Sequence, residues 1–324
     1  MPLIDNFGRQ IDYLRISVTD RCDLRCSYCM PEGFTDYETP KDWLRFTEIA
    51  RLVRIFSRHG LKRIRLTGGE PLLRAGLPEL VGMLAKIDGI TDIALSTNGT
   101  QLSKHAKALK AAGLTRFNVS LDTLDAARFA RIAKRDALSN VLAGLDQISA
   151  EGFKSTKINM VWLNENTWAE LEAMIAYCRE RGFILRLIEN MPMGEAARQM
   201  GSSSLQPLIT KIKNRFALLD GVIPGGGPAR YLVSSDQRFS IGFITPLSQH
   251  FCATCNRVRL TVEGSLHLCL GQEHRLDFRE LMRSGATDDE LDAALLQGIA
   301  RKPERHEFNE RPAMLIRPMS KTGG

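Results

Sequence analysis

Three cysteines, Cys22, Cys26 and Cys29, fall within one short segment, Asp20-Arg-Cys-Asp-Leu-Arg-Cys-Ser-Tyr-Cys-Met-Pro31. Thiolates are soft ligands that select iron–sulfur clusters or zinc. Three on one loop can wrap a four-iron cube and leave one iron open, which suits binding of a substrate or cofactor better than simple electron carriage. A second set, Cys252, Cys255 and Cys269, lies in Phe251-Cys-Ala-Thr-Cys-Asn-Arg-Val-Arg259 and His267-Leu-Cys269. With His267 nearby, a Cys3His zinc site stands beside a second cluster as an alternative. Arg257 and Arg259, set between the ligands, favour an anion held next to a metal. The seventh cysteine, Cys178, shares a helical face with Leu171, Met174 and Ile175 and reads as a core thiol.

The elements that must position these groups alternate in type from residue 14 to residue 190. Strand-like runs at 14–18, 63–67, 92–96, 116–120, 157–161 and 184–189 are separated by stretches with helical periodicity. In the first of these, Ile49, Leu52, Val53 and Phe56 share a face, with Thr47 a candidate cap and Gly60 a stop; helices are also expected near 101–112, 137–150 and 168–181. Strand–helix repetition implies a parallel sheet, because a parallel neighbour needs a crossover. Polar residues recur at alternate strand positions: Arg15 and Ser17, Arg65 and Thr67, Asn118 and Ser120, Lys157 and Asn159, Arg186. The expected fold is therefore α/β, an incomplete (β/α)6 barrel of the TIM type over residues 1–195 whose polar interior is a cationic chamber, with Arg15, Arg65, Lys157 and Arg186 aimed at an anion. Residues 196–324 are expected to form a smaller, irregular region that closes the barrel mouth, with a helix near 206–218 and a charged helical stretch near 276–300.

Composition narrows the class. The chain has 324 residues, 44% hydrophobic and 25% charged, with a net charge of +7, which is ordinary for a globular protein and suits a polyanionic partner. No run of about 18 apolar residues occurs, and Met1 to Arg9 lacks a signal peptide's regions, so a cytoplasmic location is expected. No Gly-x4-Gly-Lys-Ser/Thr loop is present to hold a nucleotide as P-loop proteins do. Solitary histidines such as His59 and His105 read as solvated.

The Cys-x3-Cys-x2-Cys spacing, with Tyr28 before its last cysteine, resembles the signature of the radical S-adenosylmethionine enzymes, and Thr67-Gly-Gly-Glu-Pro71 resembles their glycine-rich motif. From Arg15 to the terminal Gly323-Gly324, the chain resembles the GTP 3′,8-cyclase family, lyases that open molybdenum cofactor biosynthesis. The resemblance implies two 4Fe-4S clusters, on Cys22, Cys26 and Cys29 and on Cys252, Cys255 and Cys269. It implies S-adenosylmethionine on the first, contacted by Tyr28, Gly69, Ser120 and Met191, and GTP between the clusters, contacted by Arg15, Arg65, Ser96, Lys157, Arg257, Val258 and Arg259. Arg15, Gly323 and Gly324 take catalytic roles by the same resemblance. Ser96 stands where threonine is common and keeps the hydroxyl, while Lys321-Thr322 precede the glycines where the family often has an apolar residue. The implied reaction takes hydrogen from ribose C3′ with a 5′-deoxyadenosyl radical and joins C3′ to guanine C8, giving (8S)-3′,8-cyclo-7,8-dihydroguanosine 5′-triphosphate. Implied partners are a flavodoxin- or ferredoxin-type electron donor, a second copy in a homodimer, and the downstream cyclic pyranopterin monophosphate synthase, with no nucleic acid and no membrane. Two other readings fit the residues less well: a radical enzyme acting on a peptide with an auxiliary cluster, and a zinc-stabilised nucleic-acid binder, for which aromatics at 7% are sparse.

Overall fold

The computed structural model describes residues 1–310 except 32, 202, 224, 226 and 309, together with 317 and 319–322. Six strands lie where alternation and β-branching placed them: β1 (Tyr13–Ser17), β2 (Arg63–Thr67), β3 (Asp92–Thr97), β4 (Arg116–Ser120), β5 (Lys157–Trp162) and β6 (Ile184–Glu189). The crossovers carry α1 (Phe46–Arg58), α2 (Leu77–Ala85), α3 (Leu102–Ala111), α4 (Ala126–Ala133), α5 (Leu138–Ala150) and α6 (Trp168–Glu180). Helices α2 and α4 escape the periodicity reading because one carries Pro78 and Gly82 and the other is eight residues long. Helix α1 is capped at Arg45, not Thr47: the backbone N–H of Arg45 donates to Glu48, three residues on, at 2.7 Å. His59 is buried rather than solvated, with its Nε2 2.6 Å from Asp292.

After α7 (Gly194–Gln199) and α8 (Gln206–Arg215) the chain forms six further strands: β7 (Leu219–Gly221), β8 (Arg230–Val233), β9 (Ser240–Ile244), β10 (Arg257–Leu260), β11 (Ser265–His267) and β12 (Arg275–Asp277). Helices α9 (Phe278–Arg283), α10 (Asp288–Ala300) and α11 (Met319–Thr322) complete the described elements. The expectation of an irregular C-terminal region fails here. All twelve strands form one sheet in the order β12-β11-β10-β1-β2-β3-β4-β5-β6-β9-β8-β7. Strand β10 pairs parallel to β1 and β9 parallel to β6, so later residues extend both edges of the first six strands. These strands have only three to five residues, and their membership depends on partners far away in sequence, which local pattern does not record. The terminal strands β12 and β7 do not pair, and the barrel stays open.

Register sets the two faces. Leu14, Ile16, Ile64, Leu66, Leu95, Phe117, Val119, Ile158, Met160, Leu185 and Leu187 are fully buried under the helices, each side chain stabilising the fold by about 1.5–3 kcal/mol. On the other face Arg15 lies opposite both Arg65 and Arg259, Ser96 opposite Asn118, and Asn159 opposite both Ser120 and Arg186.

Candidate active site

One continuous cavity on that polar face is lined by all six cysteines of the two sets, and by Arg15, Tyr28, Arg65, Gly69, Ser96, Ser120, Met191, Arg257, Val258 and Arg259. Lys157 is buried and is not among the lining residues. It opens β5, opposite Asn118 and Ile184, at the strand end away from the cysteine loops. Gly323 and Gly324 lie outside the described residues.

The first cysteine loop leaves the C-terminal end of β1 and is fixed by its neighbours. Gly69 N–H donates to Thr19 O at 2.8 Å and Glu70 N–H to Arg21 O at 2.7 Å. A Cβ on Gly69 would lie 2.3 Å from Arg21 O, so only glycine permits the approach. Glu70, fully buried, accepts from Leu72 N, Thr97 Oγ1 and Asn98 N and so ties the loop after β2 to the loop after β3. Asn98 Nδ2 in turn donates to Asp23 at 2.7 Å and lies 3.7 Å from Cys22 Sγ. Tyr28 Oη donates to Asp122 at 2.8 Å. Asp122 is buried two residues past the end of β4, and burial raises its carboxyl to about 6. It also accepts from Val161 N, so the tyrosine ring is held against the strand ends by a residue 94 positions away.

Burial pushes the Cys22 thiol up to about 12 and the Cys26 thiol well above its ordinary value, so a metal or cluster binding there releases protons. Three free thiols, with Leu24 N–H donating to Cys22 Sγ at 3.4 Å, match the donor chemistry of an iron–sulfur cluster.

The second set is built differently. Cys252 to Thr254 make a single 3-10 turn, and the hairpin of β10 and β11 brings Cys269 back beside Cys255. Burial works to raise the Cys255 thiol, but Lys302 and Arg257 outweigh it and hold the thiol below its usual range. His267, the expected zinc partner, is engaged elsewhere: Arg317 bonds its Nδ1, and burial followed by Arg317 pushes it down to about 3. The histidines that approach a cysteine are His250 and His306, whose ring nitrogens and the Cys252 Sγ lie within 4.8 Å of one another.

Between the two sets stands the cation layer. Arg186 is fixed by Asn159 at 2.9 Å and Asn118 at 2.6 Å. Burial, then mutual repulsion, lowers Arg15 and Arg65 and brings Arg186 to about 10 and Arg259 to about 9. The Nε atoms of Arg65 and Arg257, the Ser96 hydroxyl and the Tyr13 hydroxyl are buried without a hydrogen-bond partner. Each unsatisfied donor costs about 1–3 kcal/mol, which a phosphate- or ribose-bearing ligand would offset. Tyr13, Asp122 and Lys302 were not singled out from sequence. Tyr13 carries an alternation signal on β1, facing Arg65 at 5.5 Å, whereas the other two have no local mark.

Lys157 yields a pH signature. Burial, then Arg116, Arg186 and Arg65, push its ammonium down to about 7. Between that value and the ordinary lysine range the unfolded chain holds a proton that the folded protein lacks. The penalty is therefore full below pH 7 and fades as pH rises toward 10. Lys157→Met is expected to raise the thermal midpoint at pH 6 by a few degrees, with the gain shrinking by pH 10; an equal gain at both pH values would overturn this account.

Residues 16–178 match the family described as the Radical SAM superfamily, and residues 183–308 match Molybdenum Cofactor Synthesis C. The chain is 46% identical to GTP 3′,8-cyclase 1 of Pseudomonas aeruginosa, with 99% of each chain covered. It is 45% identical to GTP 3′,8-cyclase of Erythrobacter litoralis, over 99% of this chain and 98% of that one. In fold it is similar to SuiB of Streptococcus suis, solved bound to S-adenosylmethionine, with a TM-score of 0.62 at 15% identity, covering 91% of this chain and 69% of SuiB. Identity at this level along nearly the whole length, with both halves matched in order, means that the chain belongs to the GTP 3′,8-cyclase family of radical S-adenosylmethionine enzymes.

Proposed function

We propose that the chamber holds S-adenosylmethionine at the first cysteine set and GTP between the two sets, and that the protein cyclises GTP to (8S)-3′,8-cyclo-7,8-dihydroguanosine 5′-triphosphate, the first step of molybdenum cofactor biosynthesis. What carries this reading is the wall of buried cations and unpartnered donors, Arg65 Nε, Arg257 Nε and Ser96 Oγ, set between two three-thiol loops.

Cys22, Cys26 and Cys29 would hold one 4Fe-4S cluster and Cys252, Cys255 and Cys269 the other. When bound, the first cluster supplies the electron that cleaves S-adenosylmethionine to a 5′-deoxyadenosyl radical. The protein's own task is positioning, since contact geometry and exclusion of water govern such chemistry more than acid–base power does. Tyr28, held by Asp122, and the backbone at Gly69, with Ser120 and Met191, border the cofactor. Arg15, Arg65, Arg257 and Arg259 receive the triphosphate, and Ser96 offers its hydroxyl to the nucleoside. Lys157, opposite Asn118 on the same face, adds its charge to this wall. Cytoplasmic location, a flavodoxin- or ferredoxin-type donor, a homodimer and a downstream cyclic pyranopterin monophosphate synthase complete the reading. In its support, no helix of the described residues is long and apolar enough to cross a membrane.

The test is an anaerobic incubation of the reconstituted protein with GTP, S-adenosylmethionine and a strong reductant. Joint appearance of 5′-deoxyadenosine and cyclised GTP is expected; deoxyadenosine without a cyclised product would reject the substrate.

The tail belongs to the same reading. Arg259 donates to Thr322 O at 3.3 Å, Lys321 pairs with Asp36, and Met319 packs against Met193 and Phe308. Gly323 and Gly324 follow Thr322 directly, and we assign them a catalytic role with Arg15. Their deletion is expected to lower cyclisation by about 10²-fold while iron content and both clusters persist; undiminished turnover would show the pair to be idle.

A further inference from the structure

Lys302 follows α10 and is only 2% exposed. Its Nζ donates to Arg257 O at 3.1 Å and to Leu268 O at 2.5 Å. Arg257 stands two residues after Cys255, and Leu268 one residue before Cys269. A single ammonium therefore joins the two arms of the hairpin just beyond its last ladder pair, Arg259 with His267. An ammonium has three donor hydrogens and no acceptor; two carbonyls take two, and Lys302 also lines the chamber.

A second buried cation approaches the same loop. Arg9 donates to Cys252 O at 2.9 Å, and to Pro303 O and Glu304 O at 2.6 Å. The two cations differ in compensation. Arg9 is paired with Asp5 at 2.6 Å, both side chains being almost fully buried, whereas Lys302 has no carboxylate within ion-pair distance among the described residues. An uncompensated buried charge costs several kcal/mol, and nearby anionic thiolates would remove that cost.

We propose that Lys302 is the counter-charge of the second iron–sulfur cluster, tying its two ligand segments together and raising its reduction potential. This rests on the reading of Cys252, Cys255 and Cys269 as cluster ligands. A four-iron cluster on three thiolates carries one negative charge when oxidised and two when it has taken up one electron from a reductant. A fixed positive charge in a low-dielectric setting favours the more negative state. Lys302 is thus a positioning and tuning residue for the cluster and not a ligand of it. The paired Arg9 aligns the Cys252 turn.

The experiment is a dithionite titration of the anaerobically reconstituted full-length holoenzyme, followed by electron paramagnetic resonance. The signal that S-adenosylmethionine leaves unchanged is assigned to the second cluster. Lys302→Gln keeps a donor without the charge, and Lys302→Arg keeps the charge. Lys302→Gln is expected to weaken reduction of the second cluster about tenfold, a fall of about 59 mV for one electron, with the first cluster unmoved and Lys302→Arg close to wild type. Loss of the second cluster in Lys302→Gln alone, with Lys302→Arg retaining it, also supports the charge. A full iron complement with an unmoved midpoint in Lys302→Gln overturns the proposal, as does equal cluster loss in both variants. Iron for one cluster only in the wild-type protein would instead overturn the two-cluster reading, before Lys302 is touched.

Discussion

Replacing Arg257 and Arg259 together with alanine is expected to weaken GTP binding by roughly 10²–10⁴-fold, while reductive cleavage of S-adenosylmethionine stays near the wild-type rate. Hydrogen bonds to charged groups are worth about 1.5–3 kcal/mol each, and two are removed at about 1.4 kcal/mol per factor of ten. Both side chains line the wall on β10, whereas the first cysteines are carried by the loop after β1. Stability should move the other way. Arg259 is 6% exposed and held down to about 9 by burial, then by Arg257, Arg317 and Arg65. Without an anion these cations repel one another, so the ligand-free double variant should melt no lower than the wild type. Anaerobic calorimetry with GTP, deoxyadenosine formation and a thermal melt separate the three quantities. Undiminished GTP affinity in the double variant would remove these residues from the substrate site.

Gly69→Ala is expected to do the opposite: abolish most S-adenosylmethionine cleavage, by about 10²-fold or more, and leave GTP affinity intact. The added methyl would lie 2.3 Å from Arg21 O, 2.6 Å from Arg21 C and 2.9 Å from Asp20 O, all backbone atoms with no rotamer to relieve the clash. Two backbone hydrogen bonds clamp the same segment against Gly69 and Glu70, so the strain passes to Cys22, the next residue. Displacement of about 1 Å at a reacting centre costs about two orders of magnitude. Gly82→Ala is the control. Nothing lies within 4 Å of its Cβ position in α2, and in a helix interior alanine is favoured by about 0.5–1 kcal/mol. Iron analysis should register loss at the first site in Gly69→Ala only. Unimpaired cleavage in that variant would mean that the loop tolerates displacement.

Much of this site was legible because its signals are local. Cysteine spacing marks both thiol sets, and period-two alternation places Arg15, Arg65 and Arg186 on one face before any strand pairing is known. The unseen parts depend on distant partners. Asp122 acquires meaning only from Tyr28, 94 positions earlier. Lys302 sits in an unremarkable charged stretch until folding brings it to Arg257 and Leu268. His267 resembles a metal ligand by proximity in sequence, yet its ring faces Arg317, whereas His250 and His306 approach Cys252 from segments 56 residues apart. Lys157 shares the alternation of its neighbours and lies level with Asn118 and Ser96, yet it does not border the cavity. Alternation specifies a face and is silent on which side chains of that face reach the cavity.

The C-terminal strands that flank both edges of the first six also bear on how the chain is made. Strand β1 leaves the ribosome early, but β10, which covers its outer edge, follows only after residue 257. Strand β6 likewise waits for β9, and until then each side of the nascent sheet presents a bare row of N–H and C=O groups able to pair with another chain. Contacts of such long sequence separation form slowly. Synthesis therefore passes through an interval in which six parallel strands exist with both borders open, and premature termination there would leave a template for aggregation in place of a smaller enzyme.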